Sequence, residues 1–342
     1  MAYPKALGRH IIRKLMGSSW HLGFDIGGTK CAVILGQYEP ALARPVIVER
    51  RAFKTNEWEH PSEALAAMAA TAVGMVKKHG LLTSDIASAG ISCGGPLDSV
   101  RGVVLSPPNL PGWDEVPVVG VLSEELSIPV KLQNDANACA LAEWRWGAAQ
   151  GADTAVFLTY GTGLGAGLII GGRLHEGRIG LAGEVGHWQL ASEGPVGYGK
   201  SGSFEGFCSG GGMARLASSL LTRRAASSTF GQVWSGHSGT SISPDVKALA
   251  TAAREGDPLA REVFETAARK LGQGLALIID LLNPEVIVIG SIFTRCEDLL
   301  RPGMECELSA QALPAALAAC RVVPAALGEQ IGDYAALAVG SL

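Results

Sequence analysis

Several features that would define a class of protein are missing from this sequence. The chain has no long basic run and a formal net charge of −4, so it carries no electrostatic footprint for nucleic acid. No uninterrupted apolar stretch reaches the length of a membrane span. Neither a heptad pattern nor a tandem repeat is present. We therefore expect no nucleic-acid partner and no membrane partner.

The cysteines have neither the pairing of a disulfide framework nor the spacing of a metal site. Seven of them are scattered over 342 residues, and no two form a C-x-x-C motif. An odd and dispersed set of this kind is typical of reduced thiols. The sequence therefore predicts a cytoplasmic protein.

The first 18 residues are basic and contain no acid. They resemble the start of a signal peptide, but no apolar h-region or cleavage site follows. We therefore interpret residues 1–19 as a basic N-terminal extension, either a short helix or a frayed tail.

The composition supplies enough apolar material for a folded core. Hydrophobic residues make up 47% of the chain and charged residues 18%, which excludes a disordered protein. The length suits about two domains. Glycine is frequent, with 45 residues, and the excess lies in loops rather than in a repeat, which excludes collagen and a low-complexity linker.

The order of the predicted elements favours an α/β architecture. The first half is predicted to contain a hairpin over 20–35, a strand over 46–53, a helix over 61–80, a strand over 86–92 and a strand over 129–133 that leads into a helix from 136 to about 146. The second half is predicted to contain a hairpin over 154–170, a mostly helical part from Gly210, a helix over 258–282, a strand over 285–290 and a helix over 328–342. Residues 97–118 and 191–203 are predicted to be loops.

Two glycine-rich turns between strands are the most informative motifs. The sequence DIGGTK covers residues 25–30, and YGTGLGAG covers 160–167. Glycine lets backbone N–H groups approach an anion closely, and the threonine hydroxyl in each turn adds a donor. One such turn is more often a plain hairpin, but two of them with a carboxylate between them indicate phosphoryl transfer.

The carboxylate between the two turns is Asp135, which follows Asn134 at the end of a predicted strand. In a cleft it would deprotonate an acceptor hydroxyl. The structural alternative is an N-cap of the following helix, a position that favours both Asp and Asn. The spacing alone leaves both interpretations open.

Three further polar residues follow the second turn. Glu184 and His187 belong to the sequence GEVGH, and Glu205 belongs to GSFEG. An acid with an imidazole three residues away can hold a metal or vicinal hydroxyl groups, and the alternative is a solvated surface pair. Glu205 would be another acceptor if it faces the same site.

In their order along the chain, these motifs resemble those of the ROK family of sugar kinases, within the actin/hexokinase/Hsp70 superfamily. DIGGTK resembles the family's first phosphate motif, residues 160–167 the second, and VIVIG at 286–290 the strand on the adenosine side. NDAN at 134–137 is similar to the segment with the catalytic base, GEVGH to the sugar-binding E-x-G-H motif, and LGEQ at 327–330 to the family's ending. The resemblance covers about residues 20–342.

The resemblance implies a two-domain actin/hexokinase-like (ribonuclease H-like) α/β fold with the active site in the cleft between the domains. A small α/β domain over 20–133 would hold the first phosphate loop. A large α/β domain over 134–326 would hold the sugar site, the second phosphate loop and the adenosine side. A C-terminal helix over 327–342 is expected to pack back on the small domain.

The resemblance also implies an ATP:hexose phosphotransferase and a role for each matched residue. Asp135 would be the general base toward the primary hydroxyl of a hexose. The sugar would be held by Asn109, Asn134, Glu184, His187 and Glu205, with a backbone contact from Gly95. ATP would be held by Gly27, Gly28, Thr29, Lys30, Gly161, Thr162, Gly163 and Gly290, and Mg²⁺ would lie near Asp25, through water.

One departure from the family pattern concerns its structural zinc. When the pattern is anchored on Glu205, the family's three zinc cysteines align with Val196, Tyr198 and Ser203. None of these side chains supplies a thiolate, and Cys208 falls outside the pattern. We therefore expect no zinc.

Without zinc, a different contact must orient His187, and the loop over 191–203 must be held by packing. The sequence offers Tyr198 and Phe204 as its anchors. Because this loop shapes the sugar site, the departure leaves the kinase interpretation intact and the substrate open.

The residues around Glu184 and the sequence NLPGW at 109–113 look more like the glucokinase branch of the family than the fructokinase branch, in which a proline commonly precedes the Glu. An N-acylhexosamine kinase is the alternative substrate class. Inorganic polyphosphate is an alternative to ATP as the donor. Family members are commonly dimers or tetramers, so a homodimer is expected.

Other classes of protein compete with the kinase. A sugar-sensing repressor of the family would carry a helix-turn-helix domain before the first glycine motif, and only about 20 residues precede that motif here. A sugar-binding protein without catalysis has less need of Asp135. A scaffold like actin or Hsp70 gives the E-x-G-H segment no role.

Overall fold

The structure is a computed structural model that describes residues 18–227 and 245–342, with only the backbone described over 224–227. Residues 1–17 of the predicted basic extension lie outside the described residues. Residues 228–244, in the part predicted to be mostly helical, lie outside them as well.

The described residues form both strands and helices, so the predicted α/β class is confirmed. The strands are β1 (Ser19–Ile26), β2 (Lys30–Tyr38), β3 (Val46–Lys54), β4 (Ile86–Cys93), β5 (Leu97–Asp98), β6 (Val103–Val104), β7 (Val130–Asn134), β8 (Ala155–Tyr160), β9 (Leu164–Ile169), β10 (Val196–Gly197), β11 (Lys200–Ser201), β12 (Val286–Ile289) and β13 (Arg321–Pro324). The helices are α1 (Pro61–Lys78), α2 (Val118–Leu126), α3 (Asp135–Trp146), α4 (Phe204–Phe207), α5 (Gly210–Ser227), α6 (Val246–Glu255), α7 (Pro258–Leu282), α8 (Ile292–Gln311), α9 (Pro314–Ala319) and α10 (Ile331–Gly340). Among the described residues, no helix is both long and apolar enough to cross a membrane.

The chain divides into two compact units. The first comprises the described residues up to Gly151 together with Glu176–Gly180 and Glu329–Leu342, and the second comprises Ala152–His175 and Leu181–Gly328. The structure keeps α3 with the first unit, where it packs against α10. The division of the protein into domains at residue 134 stays a prediction.

The first unit is built on a five-stranded sheet in the order β3-β2-β1-β4-β7. Strand β1 pairs antiparallel with β2 and parallel with β4, and β7 pairs parallel with β4. The hairpin predicted around the first glycine turn is therefore β1–β2. The parallel arrangement of β1, β4 and β7 brings their carboxyl ends to one edge of the sheet.

The alternation of side chains along β1 decides which residues face the site. Leu22, Phe24 and Ile26 point into a core that β1 forms with α1 and α2. Gly23 and Asp25 therefore lie on the opposite face, because successive strand residues alternate between faces. A Cβ added to Gly23 would come within 3.0 Å of the Ala336 Cβ, which shows that α10 covers this face.

Glycine at position 90 lets α10 lie directly on the sheet. A Cβ at Gly90 would overlap the carbonyl oxygen of Ala336 and the amide nitrogen of Gly340. Ser88 is two residues earlier on the same face of β4, and its hydroxyl donates a hydrogen bond to the Gly340 oxygen at 2.5 Å. Helix α10 is thus a packed part of the first unit.

The second unit is built on a four-stranded sheet in the order β13-β12-β8-β9. Strands β8 and β9 form the second predicted hairpin, and β12 pairs parallel with both β8 and β13. All four residues of β12 are buried. The long helix α7 begins at the predicted Asp257-Pro258 signal, where the Asp257 carboxylate accepts the Ala260 N–H at 2.8 Å.

Two stretches predicted to be loops contain regular structure. Residues 97–118 include the antiparallel pair β5–β6, and residues 191–203 include the pair β10–β11. Strands of two residues are too short to show the alternation that identifies a strand in a sequence. Helix α2 was not predicted either. Its sequence VVGVLSEEL begins with three valines and a glycine, residues that have a low helix propensity.

Candidate active site

The first glycine turn closes on itself and contacts a second loop. The Gly27 N–H donates to the Lys30 oxygen at 3.1 Å, between the end of β1 and the start of β2. A Cβ at Gly28 would come within 2.5 Å of the Asn109 oxygen, so only glycine allows the Asn109 loop to lie against the turn. Thr29 and Lys30 are exposed. Gly28 and Asn109, predicted for phosphate and for sugar, are therefore neighbours.

Thr55, which follows β3, supports this turn and was not identified from the sequence. Its hydroxyl donates to the Gly27 oxygen at 2.6 Å, and its N–H donates to the Thr29 oxygen at 3.1 Å. The Cys31 thiol lies 3.4 Å from the same hydroxyl. Thr55 thus fixes two of the three residues of the turn, and the pairing of β3 with β2 brings it there.

Asp25 lies among other carboxylates on the face of the sheet that α10 covers. A Cβ at Gly332 would come within 2.9 Å of Asp25 Oδ2, and the next residue, Asp333, accepts a hydrogen bond from Arg50 Nε at 2.7 Å. Burial, with added repulsion from Asp333 and Asp135, raises the pKa of Asp25 from 3.8 to about 7, and Arg50 opposes the rise. A bound cation would relieve this excess of negative charge.

The raised pKa of Asp25 gives a testable dependence of stability on pH. The folded protein keeps this proton between about pH 4 and pH 7, where the unfolded chain loses it, so the stability that the proton confers is complete below pH 4 and is lost as the pH rises to about 7. Asp25→Asn removes this loss. We expect the variant to be more stable than the parent protein at pH 8, on the order of a few kcal/mol, and to lose that advantage toward pH 4. Urea unfolding of the ligand-free proteins at pH 4.5, 6 and 8 measures the difference, and a difference that does not change with pH would contradict the assignment.

The start of helix α3 shows which of the two residues, Asn134 or Asp135, is its N-cap. Asn134 is the N-cap, with its Oδ1 accepting the Ala136 N–H at 2.9 Å. Asp135 is the first residue inside the helix, and its side chain is exposed. The helix therefore has its cap without Asp135, although Asp135 Oδ1 also accepts the Ala136 N–H, at 2.8 Å.

A hydrogen-bond network around the buried Gln133 side chain holds the chain at the end of β7. The Gln133 side chain is 3% exposed, and its Oε1 accepts the Asn134 N–H at 2.9 Å and the Asn137 Nδ2 at 3.0 Å. Its Nε2 donates to the Glu176 carboxylate at 2.8 Å, which also accepts the Ser99 hydroxyl at 2.9 Å. No local pattern in the sequence identifies Glu176, because it is 43 residues away from Gln133.

Gly95 lies close to the Asn134 side chain. A Cβ at Gly95 would come within 3.2 Å of Asn134 Nδ2. The cap uses the oxygen of the Asn134 amide, which leaves its nitrogen on the side of Gly95. The first unit thus brings together Gly95, Asn134 and Asp135.

The second glycine turn joins β8 to β9. The Gly161 N–H donates to the Gly163 oxygen at 3.1 Å, and Thr162 between them is exposed. The Gly161 oxygen accepts the N–H of Gly210, the first residue of α5, at 2.8 Å. Each glycine turn is therefore held by one hydrogen bond within the turn and by at least one more from another segment of the chain.

Gly290 follows β12 and lies beside the same hairpin. Its N–H donates to the Leu158 oxygen at 3.0 Å, and a Cβ on it would come within 2.9 Å of the Phe157 ring. Ser291, the next residue, has a positive φ of 53° and lies near Gly161. Positive φ is uncommon outside glycine, so Ser291 is a further candidate that the sequence did not identify.

The glycines of GEVGH explain how this motif lies against the second turn. Gly183 has a φ of 95°, its oxygen accepts the Ala166 N–H at 2.9 Å, and a Cβ on it would overlap the Ala166 oxygen. A Cβ on Gly186 would overlap the Leu164 oxygen. Both glycines therefore press the motif onto β9, while Glu184 and His187 remain exposed.

Glu205 joins the motif to the turn. Its Oε2 accepts the Leu164 N–H at 3.1 Å, and a Cβ on Gly163 would come within 2.9 Å of the same oxygen. Burial raises the pKa of Glu205, and Glu184 adds to the rise, while the Leu164 N–H, Arg215 and His187 oppose it. The second unit thus brings together Gly163, Glu184, His187 and Glu205.

The positions that align with the zinc cysteines have other roles here. Val196 pairs with Ser201 in the β10–β11 hairpin, and the Tyr198 ring stacks on His187. Ser203 is the N-cap of α4, with its hydroxyl accepting the Gly206 N–H at 3.1 Å. Phe204 is completely buried, as expected of an anchor. Within the described residues, no three His, Cys, Asp or Glu side chains form a group that could hold a metal ion.

The chain belongs to the ROK family, whose profile matches residues 21–339. The glucokinase of Halalkalibacterium halodurans is 31% identical to it over 321 residues, which cover 93% of this chain and 93% of the relative. These findings confirm the resemblance drawn from the sequence motifs.

Solved structures of the family have the same fold. The crystal structure of a ROK family glucokinase from Streptomyces griseus in complex with glucose and AMPPNP aligns with a TM-score of 0.72 and 31% identity, over 94% of this chain and 99% of that one. A ROK family transcriptional regulator, described as a homologue of the E. coli MLC protein, aligns with a TM-score of 0.76 and 25% identity, over 94% of this chain and 77% of that one. The predicted two-domain actin/hexokinase-like α/β fold is therefore confirmed, and the comparisons support a sugar kinase.

Proposed function

We propose that the protein is an ATP-dependent hexokinase of the glucokinase type, which phosphorylates the primary 6-hydroxyl of a hexose with Asp135 as the general base. The observation that carries the proposal is the position of Asp135. It is exposed at the first residue of α3, while Asn134 supplies the cap of that helix. An exposed carboxylate at the end of a strand can accept a proton from a bound hydroxyl group.

In the proposed reaction, the Asp135 carboxylate accepts the proton of the sugar hydroxyl. The hydroxyl oxygen forms a bond to the terminal phosphorus of ATP as the bond to the ADP oxygen breaks, and ADP leaves. Positioning and electrostatic stabilisation supply most of what phosphoryl transfer requires. The Gln133–Glu176 network contributes to positioning, because it fixes the backbone at Asn134.

We propose that the remaining polar residues hold the sugar hydroxyls. The carboxylates of Glu184 and Glu205 would accept hydrogen bonds, His187 would accept or donate, and the amides of Asn109 and Asn134 and the backbone at Gly95 would complete the set. The contact of Glu205 with Leu164 and Gly163 supports a link between the sugar residues and the second turn. The contact of Asn109 with Gly28 supports a similar link at the first turn.

The phosphates of ATP are proposed to bind at the two glycine turns, Gly27–Lys30 and Gly161–Gly163, with Gly290 on the adenosine side. The N–H groups of Gly27 and Gly161 already donate within their turns, so the phosphates would use the other donors of each turn. Mg²⁺ fits Asp25, because the repulsion from Asp333 and Asp135 on this carboxyl exceeds the compensation from Arg50 and because Mg²⁺ needs only one or two carboxylates in addition to phosphates and water. When bound, Mg²⁺ would neutralise charge on the phosphates. The residues of this chain would position the sugar hydroxyl that receives the phosphoryl group and the ATP that donates it.

We expect purified protein to need Mg²⁺ for activity and to contain no stoichiometric zinc. The physical reason is that Val196, Tyr198 and Ser203 offer no thiolate where the family's zinc ligands align. Elemental analysis by mass spectrometry after exhaustive dialysis measures the zinc, and EDTA followed by added Mg²⁺ tests the activity. One zinc per chain would show that other residues form the site.

A coupled assay of ADP release tests the proposed function. Mg-ATP would be supplied with glucose, mannose, fructose, N-acetylglucosamine, N-acetylmannosamine or allose. Turnover with glucose supports the proposal, and turnover with an N-acylhexosamine alone supports the alternative substrate class. No turnover with any sugar, together with sugar binding in calorimetry, would favour a sensor, a function for which the similarity to a ROK transcriptional regulator is the supporting observation.

We propose further that the protein acts in the cytoplasm as a homodimer. All seven cysteines are free, and five of them are buried, which suits a reducing compartment. The dimer rests on the general preference of soluble oligomers for two-fold symmetry.

A further inference from the structure

The β10–β11 hairpin occupies the stretch in which the family carries its zinc ligands. Its strands are joined by Tyr198 and Gly199, whose φ angles are 49° and 70°. Two central residues with positive φ are the pattern of a type I′ turn, which favours Asn, Asp and Gly. A tyrosine at such a position is uncommon, because its Cβ is crowded there.

Burial does not explain why a tyrosine occupies this turn. Its side chain is 55% exposed, so it is not a core residue. Its ring instead lies on the imidazole of His187, with ring centroids 4.5 Å apart and planes inclined by 29°. Stacked aromatic rings attract each other at this distance, and a strained backbone position is typical of functional sites.

The base of the hairpin is fixed to the helix that carries Glu205. A Cβ on Gly197 would come within 2.7 Å of the Gly206 N and 2.8 Å of the Ser203 Oγ, so β10 lies directly against the start of α4. The Ser203 hydroxyl donates to the Gly197 oxygen at 3.3 Å while it caps α4.

The hairpin also contacts the backbone of the histidine. Lys200, on β11, donates from its Nζ to the His187 oxygen at 2.9 Å. One hairpin is thus joined to Glu205 through α4 and to His187 through Tyr198 and Lys200. His187 and Glu205 lie on either side of the three positions at which the family pattern has its zinc-binding cysteines.

We propose that Tyr198 is the positioning residue of His187, and that the β10–β11 hairpin orients this histidine where relatives use zinc. The Tyr198 ring limits rotation of the imidazole, and the attachment of the hairpin to α4 keeps the imidazole in register with the Glu205 carboxylate. The role in sugar binding rests on the proposed function, whereas the orientation of His187 does not.

The test uses two substitutions at Tyr198. Tyr198→Asn removes the ring but tolerates positive φ, so the fold is preserved and the unfolding temperature should stay the same or rise. Tyr198→Phe keeps the ring and is the matched control. We expect calorimetric titration with D-glucose to show Kd raised roughly three- to tenfold in the Asn variant and unchanged in the Phe variant. KM for ATP should be unchanged in both.

An NMR measurement tests the orientation independently of activity. The C–H signals of the His187 ring, assigned by comparison with His187→Gln, should be shifted upfield by the stacked ring in the parent protein and in Tyr198→Phe. They should move downfield in Tyr198→Asn. Unchanged His187 signals in the Asn variant would overturn the proposal, as would unchanged glucose affinity where the parent protein binds glucose. If the parent protein binds no glucose, the glucose-specific function fails, and the His187 signals alone decide whether Tyr198 orients the histidine.

Discussion

Asp135→Asn is expected to lower kcat roughly 10²–10⁴-fold, because the amide cannot accept the proton of the attacking hydroxyl. The sugar Kd should change by less than about threefold, since base catalysis stabilises the transition state rather than the bound substrate. The fold should tolerate the change, because Asn134 caps α3 and Asp135 is exposed. Steady-state kinetics with Mg-ATP and calorimetric titration with glucose measure the two quantities.

The matched control for this variant is Glu125→Gln. Glu125 is an exposed acid on α2, in the same unit, and no proposed role involves it. Its loss of one negative charge should leave kcat unchanged. A near-normal kcat in Asp135→Asn, or an equal loss in both variants, would remove Asp135 from the role of base.

Gly90→Ala is expected to be the most destabilising single-methyl change in the first unit. The new Cβ would overlap two backbone atoms of α10, the Ala336 oxygen and the Gly340 nitrogen, and backbone atoms cannot move aside as a flexible side chain can. The helix must therefore lift from the sheet. We expect a loss of about 3 kcal/mol or more of the free energy of unfolding and a fall of about 5 °C or more in Tm.

Gly90→Ala should also affect activity, since α10 places Gly332 and Asp333 beside Asp25. KM for Mg-ATP should rise in the fraction that remains folded. Urea unfolding and differential scanning calorimetry measure the stability, and steady-state kinetics measures KM.

Gly74→Ala is the control for Gly90→Ala. Gly74 is an exposed residue inside α1, and a Cβ there would meet nothing within 4 Å. Alanine is favoured over glycine inside a helix by about 0.5–1 kcal/mol, so this variant should be slightly more stable than the parent protein. Equal stability of the two variants would show that α10 does not depend on the close contact at Gly90.

The elements that the sequence predicted correctly are those with strong local signals. Both glycine hairpins were predicted, because apolar runs flank a turn that only small residues fit. Helix α7 was predicted at both ends from Asp257-Pro258 and Asn283-Pro284. In each case the residues that define the element lie within a few positions of one another.

The features that the sequence did not predict depend on residues that are distant in the chain. The network at Gln133 needs Glu176, and the support of the first turn needs Thr55. The resemblance led us to expect that the C-terminal helix packs on the small domain, but the position of Gly332 beside Asp25 was not predicted. The order of the motifs indicated the candidate site residues, but no local pattern in the sequence identifies the distant residues that contact them.

The separate positions of Asn134 and Asp135 at the start of α3 could not be assigned from the sequence. Both residue types favour an N-cap, so their composition could not decide which of them caps α3. The decision depends on where β7 ends, and β7 ends at Asn134, whose N–H donates to the buried Gln133 side chain. A shift of one residue would make Asp135 the cap.

The place of α10 in the first unit has a consequence for how the protein is made. The sheet face at Gly23 and Gly90 is covered by residues 331–340, and the ribosome must add 196 residues, from 135 to 330, after β7, the last strand of that sheet, has been synthesised. At 5–20 residues per second this takes roughly 10 to 39 s. During that interval the nascent chain exposes a sheet face that α10 later covers, a surface of the kind that chaperones bind, and Asp333 is not yet beside Asp25.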